Sequence, residues 1–216
     1  RLNKMGAFLT TPLVRNIVGR EECSIDFREV LDQGKIVLVN LAQGKIGEDV
    51  SSFLGSLLVT RLYLAALSRI EIPERKRRDF YLYVDEFQNF VASESFDSIL
   101  SEARKYRLAL ILAHQYIGQL SEKLRLAIFG NAGTLAVFAV GPEDAEYLEN
   151  EFKPRFDRYD LVGQEKYHAY IKLAIEGRTS EPFSARTLPP FYAFEPQGSR
   201  EKIILLSRRE FAGERR

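Results

Sequence analysis

Two adjacent carboxylates, Asp85 and Glu86, come directly after the apolar run Phe80-Tyr-Leu-Tyr-Val84 and precede Phe87-Gln-Asn-Phe90. A short run that is apolar at every position predicts a parallel strand packed on both faces, and α/β sheets hold ligands in the crevice beyond the carboxyl ends of such strands. Two neighbouring acids at that place can divide a hydrolysis between them. The first holds a magnesium ion through its water shell, and the second orients or deprotonates the water that attacks a terminal phosphate. The plainer alternative is an ordinary strand that ends in a solvated Asp-Glu pair.

The acids need a sheet to stand on, and the pattern around them supplies one. Ser24 to Gly34 reads as a short capped helix closed by glycine, and Lys35 to Asn40 as a buried strand. After a turn from Gly44 to Asp49, apolar residues recur at Val50, Phe53, Leu54, Leu57, Leu58, Leu62, Ala65 and Ala66, the spacing of a helix buried on a wide face and ending near Ser68. Ile70 to Asp79 is a charged connection containing Pro73, and Phe80 to Asp85 is the next strand. Alternation continues with a helix over Phe96 to Tyr106, a strand over Leu108 to Ala113, a helix over Ile117 to Phe129 and a strand over Thr134 to Val140. Pro142 suits the first turn of a helix reaching about Phe152, because its missing N–H has no partner there anyway. Lys166 to Ile175 and Pro182 to Thr187, on either side of a turn at Gly177, predict an antiparallel hairpin. The expectation is an α/β fold of three layers, with a mostly parallel sheet, helices on both faces and a C-terminal antiparallel hairpin.

Composition narrows the function classes. With 216 residues, 45% of them hydrophobic, the chain suits one α/β domain with appendages. Thirty-one basic and 30 acidic side chains leave a net charge of +1, so any contact with nucleic acid depends on local patches. The single cysteine, Cys23, excludes an internal disulfide, two histidines offer no zinc cluster, and a reducing setting is expected. The longest apolar stretch, Ser56 to Leu67, is interrupted by Thr60 and Arg61 and reads as too short to span a bilayer. No signal peptide is expected, and the first residue, Arg1, suggests a piece of a longer protein.

The strand leading into two acids has the form of a Walker B element. A Walker A loop, whose backbone N–H groups wrap the phosphates, requires Gly-x-x-x-x-Gly-Lys and then Ser or Thr. Gly34-Lys35 and Gly44-Lys45 both precede isoleucine, and Glu29 and Val39 stand where the first glycine belongs. Three further segments fall where a nucleotide motor needs them: a helix ending in a basic cluster before a strand, a strand whose polar exit is Gln115, and the tight turn Gly130-Asn-Ala-Gly133.

On Tyr83-Val-Asp-Glu-Phe-Gln-Asn-Phe90, Leu100-Ser-Glu-Ala-Arg-Lys-Tyr-Arg107 and Ala113-His-Gln-Tyr-Ile-Gly-Gln-Leu120, the chain resembles the type IV secretion coupling proteins. These are conjugative DNA-transfer ATPases of the RecA-like, hexameric pumping class, and the resemblance runs from about Ile36 to Pro190. It implies a partial P-loop NTPase fold over residues 1–190, the C-terminal part of a motor domain without its P-loop, and then a charged tail over 191–216. It also implies ATP and Mg²⁺ as cofactors, with Asp85 holding the metal through water, Glu86 activating the nucleophile, Gln115 as the sensor glutamine and Arg104 as an arginine finger reaching a neighbouring subunit's ATP. The partners implied are DNA, identical subunits in a hexameric ring, inner-membrane secretion-channel proteins, and a relaxase–DNA complex or other secretion substrate. The expected location is the cytoplasmic face of the inner membrane, with any anchor upstream of the chain.

Each residue also has a plainer role open to it. Arg104 can be a solvated cation at a helix C-terminus, where it favours the helix dipole. Gln115 can be a turn residue, His114 a packing residue, and Asn131 a side chain that tolerates a left-handed turn. Glu74-Arg-Lys-Arg-Arg-Asp79 reads first as a solvated loop and second as a DNA or lipid contact, and Phe87, Phe90 and Phe96 read as core or interface anchors. For the whole chain, the alternatives to a DNA-transfer motor are a non-catalytic DNA-binding or scaffold subunit of the same fold, and a chromosome-partitioning or repair translocase.

Overall fold

The computed structural model describes residues 12–19, 23–91, 96–188 and 198–212, and it divides into two units, Arg1–Ala113 with Pro196–Arg216, and His114–Glu195. In the first unit, helix α1 (Pro12–Val18) buries Val14 in a cluster with Val50 and Leu54. Helix α2 (Phe27–Gln33) starts where the Asp26 carboxylate accepts from the N–H groups of Arg28 and Glu29. It stops at Gly34, whose φ of 64° is open to glycine at little cost. After the single turn α3 (Gln43–Ile46), helix α4 (Glu48–Leu67) buries Val50, Leu54, Val59, Leu62, Tyr63 and Ala66, close to the span its periodicity predicts.

By length and composition the helical stretch Glu48–Glu71 is long and apolar enough to cross a membrane, contrary to the expectation that it is too short. The discrepancy arises because the helix also takes in Val50, Phe53 and Leu54 ahead of Ser56. Its buried residues alternate with exposed Phe53, Leu57 and Leu64, and it packs on α2 and on the turn Phe87–Phe90 as a core helix of this unit.

Strand β1 (Phe80–Val84) leads to helix α5 (Phe96–Glu102), which tightens into the 3₁₀ turn Ala103–Tyr106 before strand β2 (Leu108–Leu112). The two strands pair in parallel with Phe80 opposite Leu108 and Val84 opposite Leu112. Only one face of β1 is inward. Val84 is buried, while Tyr81 and Tyr83 are 59% and 72% exposed, so the all-apolar run is covered on one side and not on both as expected.

The strand expected over Lys35 to Asn40 has no ladder partner among the described residues. The segment is tied at its ends, where the Arg78 guanidinium donates to the Gln33 carbonyl and the Ser51 hydroxyl to the Leu41 carbonyl. Between them Ile36 and Leu38 are 89% and 81% exposed. β-propensity describes a side chain that fits a pleated, half-buried surface, and no such surface is offered here. Among the described residues, parallel pairing is therefore confined to β1 and β2.

The second unit opens with a 3₁₀ turn at Ile117–Gln119 and helix α6 (Glu122–Asn131), capped by the Ser121 hydroxyl accepting from the Leu124 N–H. One helix was expected over this stretch; Ser121 divides it because its side chain favours a cap over a helix interior. Asn131 ends α6 and donates to the Ala127 carbonyl, so it occupies no left-handed turn. Strand β3 (Leu135–Val137) leads to helix α7 (Pro142–Phe152), with Pro142 in the first turn, and to the short helix α8 (Arg158–Val162). Strands β4 (His168–Lys172) and β7 (Phe183–Arg186) pair antiparallel, and β3 adds antiparallel to the other edge of β4. A smaller ladder of β5 (Ala174–Ile175) and β6 (Arg178–Thr179) closes around Gly177. The predicted hairpin is thus present with a tip of its own. Ala145, Leu148, Phe152 and Leu161 form the core beneath this sheet, with Ile117.

Residues 189–197, where a loop was expected, lie outside the described residues. Helix α9 (Ser199–Phe211) then returns to the first unit.

Candidate functional site

The backbone leaves the β1–β2 ladder for two residues at the paired acids. The Val84 carbonyl accepts from the Ala113 N–H at 3.0 Å, and the Phe87 N–H donates to the Ala113 carbonyl at 3.1 Å. Asp85 and Glu86 are the excursion between those bonds. Glu86 makes the turn with φ 49° and ψ 45°, a left-handed conformation that is uncommon outside glycine and clusters at functional sites. Asp85 Oδ1 accepts from the Glu86 N–H at 3.1 Å, and Gln88 Nε2 donates to Glu86 Oε2 at 2.7 Å. The second acid is thus held by its backbone on one side and by an amide on the other.

The turn is anchored from below. Phe87 is buried and stacks on Phe96, with ring centroids 6.3 Å apart. The Asn89 carbonyl accepts from the Ser52 hydroxyl at 2.6 Å, and the Phe90 ring fills space that only glycine leaves at position 55, where a Cβ would lie 2.1 Å from a ring carbon. Phe87 and Phe96 are core anchors, as one reading of the sequence has them.

Arg104 is not brought to these acids. It sits in the 3₁₀ turn that enters β2, where the Arg107 carbonyl accepts from the N–H of Phe80 at the start of β1. The acids leave the opposite end of the same strand, about 13 Å away at the usual rise per residue. The Arg104 side chain is exposed and makes no hydrogen bond or ion pair among the described residues. Gln115 belongs to the second unit, on an exposed bend. Two residues later the Ile117 N–H donates to both oxygens of buried Asp144, at 3.1 and 3.0 Å.

The basic run before β1 is no solvated loop throughout. Arg77 and Arg78 both donate to backbone carbonyls, although Arg78 stays exposed, as Arg75 and Lys76 are. Four residues that shape these segments escape a reading by motif: Gln88, Asp144, Arg77, and Arg69, whose buried guanidinium donates to the carbonyls of Tyr106 and Arg78. Only Gln88, two places after the second acid, carries a local signal.

The donors present suit one cofactor component better than another. No cluster of three metal-ligating side chains occurs among the described residues. A single exposed carboxylate, Asp85, suits Mg²⁺, which keeps most of its waters and takes one or two protein oxygens. A phosphate cradle is not offered by either glycine-lysine pair, since Gly34 caps α2 and Gly44 lies inside α3.

Residues 79–150 match the family described as the TraM recognition site of TraD and TraG. No curated protein sequence matches the chain. Among solved structures, the plasmid coupling protein TrwB bound to a non-hydrolysable GTP analogue is 15% identical, with a TM-score of 0.59 over 80% of this chain and 45% of that one. TrwB with ADP and Mg²⁺ is 14% identical, with a TM-score of 0.57 over 75% and 42%. The genome-packaging NTPase B204 of Sulfolobus turreted icosahedral virus 2, in complex with ATP-γ-S, is 14% identical, with a TM-score of 0.52 over 78% and 74%. The chain spans less than half the length of the coupling-protein structures it matches. By its matching segment and by its fold, it carries the C-terminal region of the RecA-like ATPase fold that the type IV coupling proteins share.

Proposed function

We propose that the chain is the C-terminal part of an ATP-driven motor, with residues 1–190 in the motor domain and 191–216 as a charged tail, that moves DNA in a type IV secretion or conjugation system. The observation that carries this reading is the two-residue excursion at the end of β1, with Glu86 in a left-handed turn and its carboxylate held by Gln88. Strain of that kind persists only where surrounding structure fixes it, and it places two acids side by side beyond a parallel strand. Bound MgATP supplies the γ-phosphoryl group that passes to water. Asp85 holds the metal's water shell, Glu86 orients and deprotonates the attacking water, and Gln88 keeps Glu86 aimed.

The phosphate-binding loop belongs, on this reading, to chain outside these 216 residues, in keeping with the share of the coupling proteins that the chain spans. Arg104 serves a neighbouring subunit's nucleotide, in line with its place at the far end of β1 from its own acids, and Gln115 acts as the sensor. Partners are DNA, identical subunits in a hexameric ring, channel proteins at the cytoplasmic face of the inner membrane, and a relaxase–DNA complex or other substrate. The match to the TraM recognition site of TraD and TraG supports contact between residues 79–150 and a TraM-like partner protein.

The test is Glu86→Gln in the complete protein. MgATP binding should persist, while hydrolysis falls roughly 10²- to 10⁴-fold, the usual worth of a positioned general base. Turnover within a few-fold of the unmodified protein would remove Glu86 from the reaction.

A further inference from the structure

Four arginines tie together the segments around the turn that carries Arg104, three of them through backbone carbonyls. The side chain of Arg69 is fully buried; its Nη1 donates to the Tyr106 carbonyl at 3.2 Å and its Nη2 to the Arg78 carbonyl at 2.6 Å, and its Nε lies 3.1 Å from Asp32 Oδ1. Arg77 donates through Nη1 to the Lys105 carbonyl and through Nε to the carbonyls of Ile72 at 2.8 Å and Arg69 at 3.0 Å. Its guanidinium also stands 5.4 Å from the centre of the Tyr106 ring. Arg28 holds Asp32 in place and reaches Glu71 at 2.6 Å and the Ser68 carbonyl at 2.6 Å. Arg107 turns the chain at φ 59°, donating its N–H to the Arg104 carbonyl at 3.0 Å, with its side chain 3.3 Å from Asp79.

This is a costly arrangement for a connection between a helix and a strand. Burying a guanidinium carries a desolvation penalty that only well-made hydrogen bonds offset. Burial pushes the Arg69 pKa down, and the Asp32 carboxylate opposes that shift. Two of the carbonyls so gripped are those of Lys105 and Tyr106, the next two residues after Arg104. A 3₁₀ turn of four residues has poor hydrogen-bond geometry of its own and does not fix the direction of an exposed side chain.

We infer that Arg69 and Arg77 are positioning residues for Arg104: by clamping the carbonyls of Tyr106 and Lys105 they fix the direction in which the Arg104 side chain leaves the surface. The inference rests on the reading of Arg104 as an arginine finger. A finger contributes by meeting charge at one place on the transferring phosphoryl group, and a displacement of about 1 Å can cost on the order of 10²-fold. Lysine keeps the charge at position 77 but lacks the planar fork that reaches Lys105 and Ile72 at once.

The experiment is a double-mutant cycle on ATP hydrolysis by the complete protein. Arg77→Lys should lower kcat roughly 10- to 100-fold with the KM for ATP unchanged. In an Arg104→Ala background the same Arg77→Lys change should cost nothing further, because the group it positions is gone. An undiminished kcat in Arg77→Lys overturns the inference, and so does a second loss of equal size in the Arg104→Ala background, which would mark Arg77 as a brace for the fold. Arg104→Ala with a normal rate would instead overturn the finger reading itself, so the two failures are separable. Arg69→Lys, measured by the same cycle and by its melting temperature, carries the test to the buried member of the pair, whose loss of kcat must likewise vanish when Arg104 is absent.

Discussion

Glu86 is one of four non-glycine residues with positive φ among the described residues, and it is the one that lies in the candidate site. An L-residue with a Cβ holds φ near 49° at a cost, and nothing in the side-chain pattern of Phe80 to Phe90 announces it. The cause is the ladder: Val84 and Phe87 both bond Ala113, so the two acids between them must double back within two residues. Comparing Glu86→Gly with Glu86→Ala isolates this strain, since both lose the carboxylate and the bond from Gln88. At an unstrained position alanine is the more stable of the two by about 0.4–1 kcal/mol, through the unfolded chain. Here glycine should be more stable by about 1 kcal/mol in urea unfolding, because the left-handed region penalises a Cβ. Alanine the more stable would mean that Glu86 turns without strain, and would remove the feature that marks the site.

At the scale of elements, helices were the more legible. The apolar spacing from Val50 to Ala66 and the proline at position 142 located α4 and α7 closely, because helix periodicity and N-terminal proline are local properties. Strands depend on partners far along the chain: over Lys35 to Asn40, Ile-Val-Leu-Val describes what a strand can be made of, not whether a ladder is there to receive it. The same limit applies to Tyr81 and Tyr83, whose composition permits burial on both faces while the fold covers one. Of the site, the two acids were visible as a motif, but the clamps were not, because Arg69 and Arg77 act on backbone 28 to 37 residues away. Asp144 is a third such case, invisible in the acidic start of α7 yet accepting the Ile117 N–H from 27 residues away. Asp144→Ala should lower the stability of the second unit by about 1–3 kcal/mol, since it leaves a buried donor without its partner. Hydrogen exchange should show the loss first at the Ile117 amide; unchanged protection there would mean that the carboxylate is dispensable.

At the scale of the whole molecule, the separation of Arg104 from its own acids becomes an argument about assembly. Parallel strands are entered at one end of the sheet and left at the other, so one chain presents its arginine at the entry to the strands and its carboxylates at the exit. A ring in which each subunit's arginine meets the next subunit's nucleotide uses both ends at once. Full-length Arg104→Ala should then fold and bind ATP but hydrolyse it roughly 10³- to 10⁵-fold more slowly, the worth of a finger. Mixing that protein with Glu86→Gln is the decisive measurement. Each parent lacks one half of every site, whereas a mixed ring contains interfaces where the intact acids of an Arg104→Ala subunit meet the intact arginine of a Glu86→Gln subunit. Hydrolysis should therefore return on mixing, in proportion to the fraction of such interfaces. Should the mixture stay as slow as its parents while mixed oligomers are demonstrably present, Arg104 acts within its own subunit or only on the fold. In that case the distance along β1 has no part in how a site between subunits would be built.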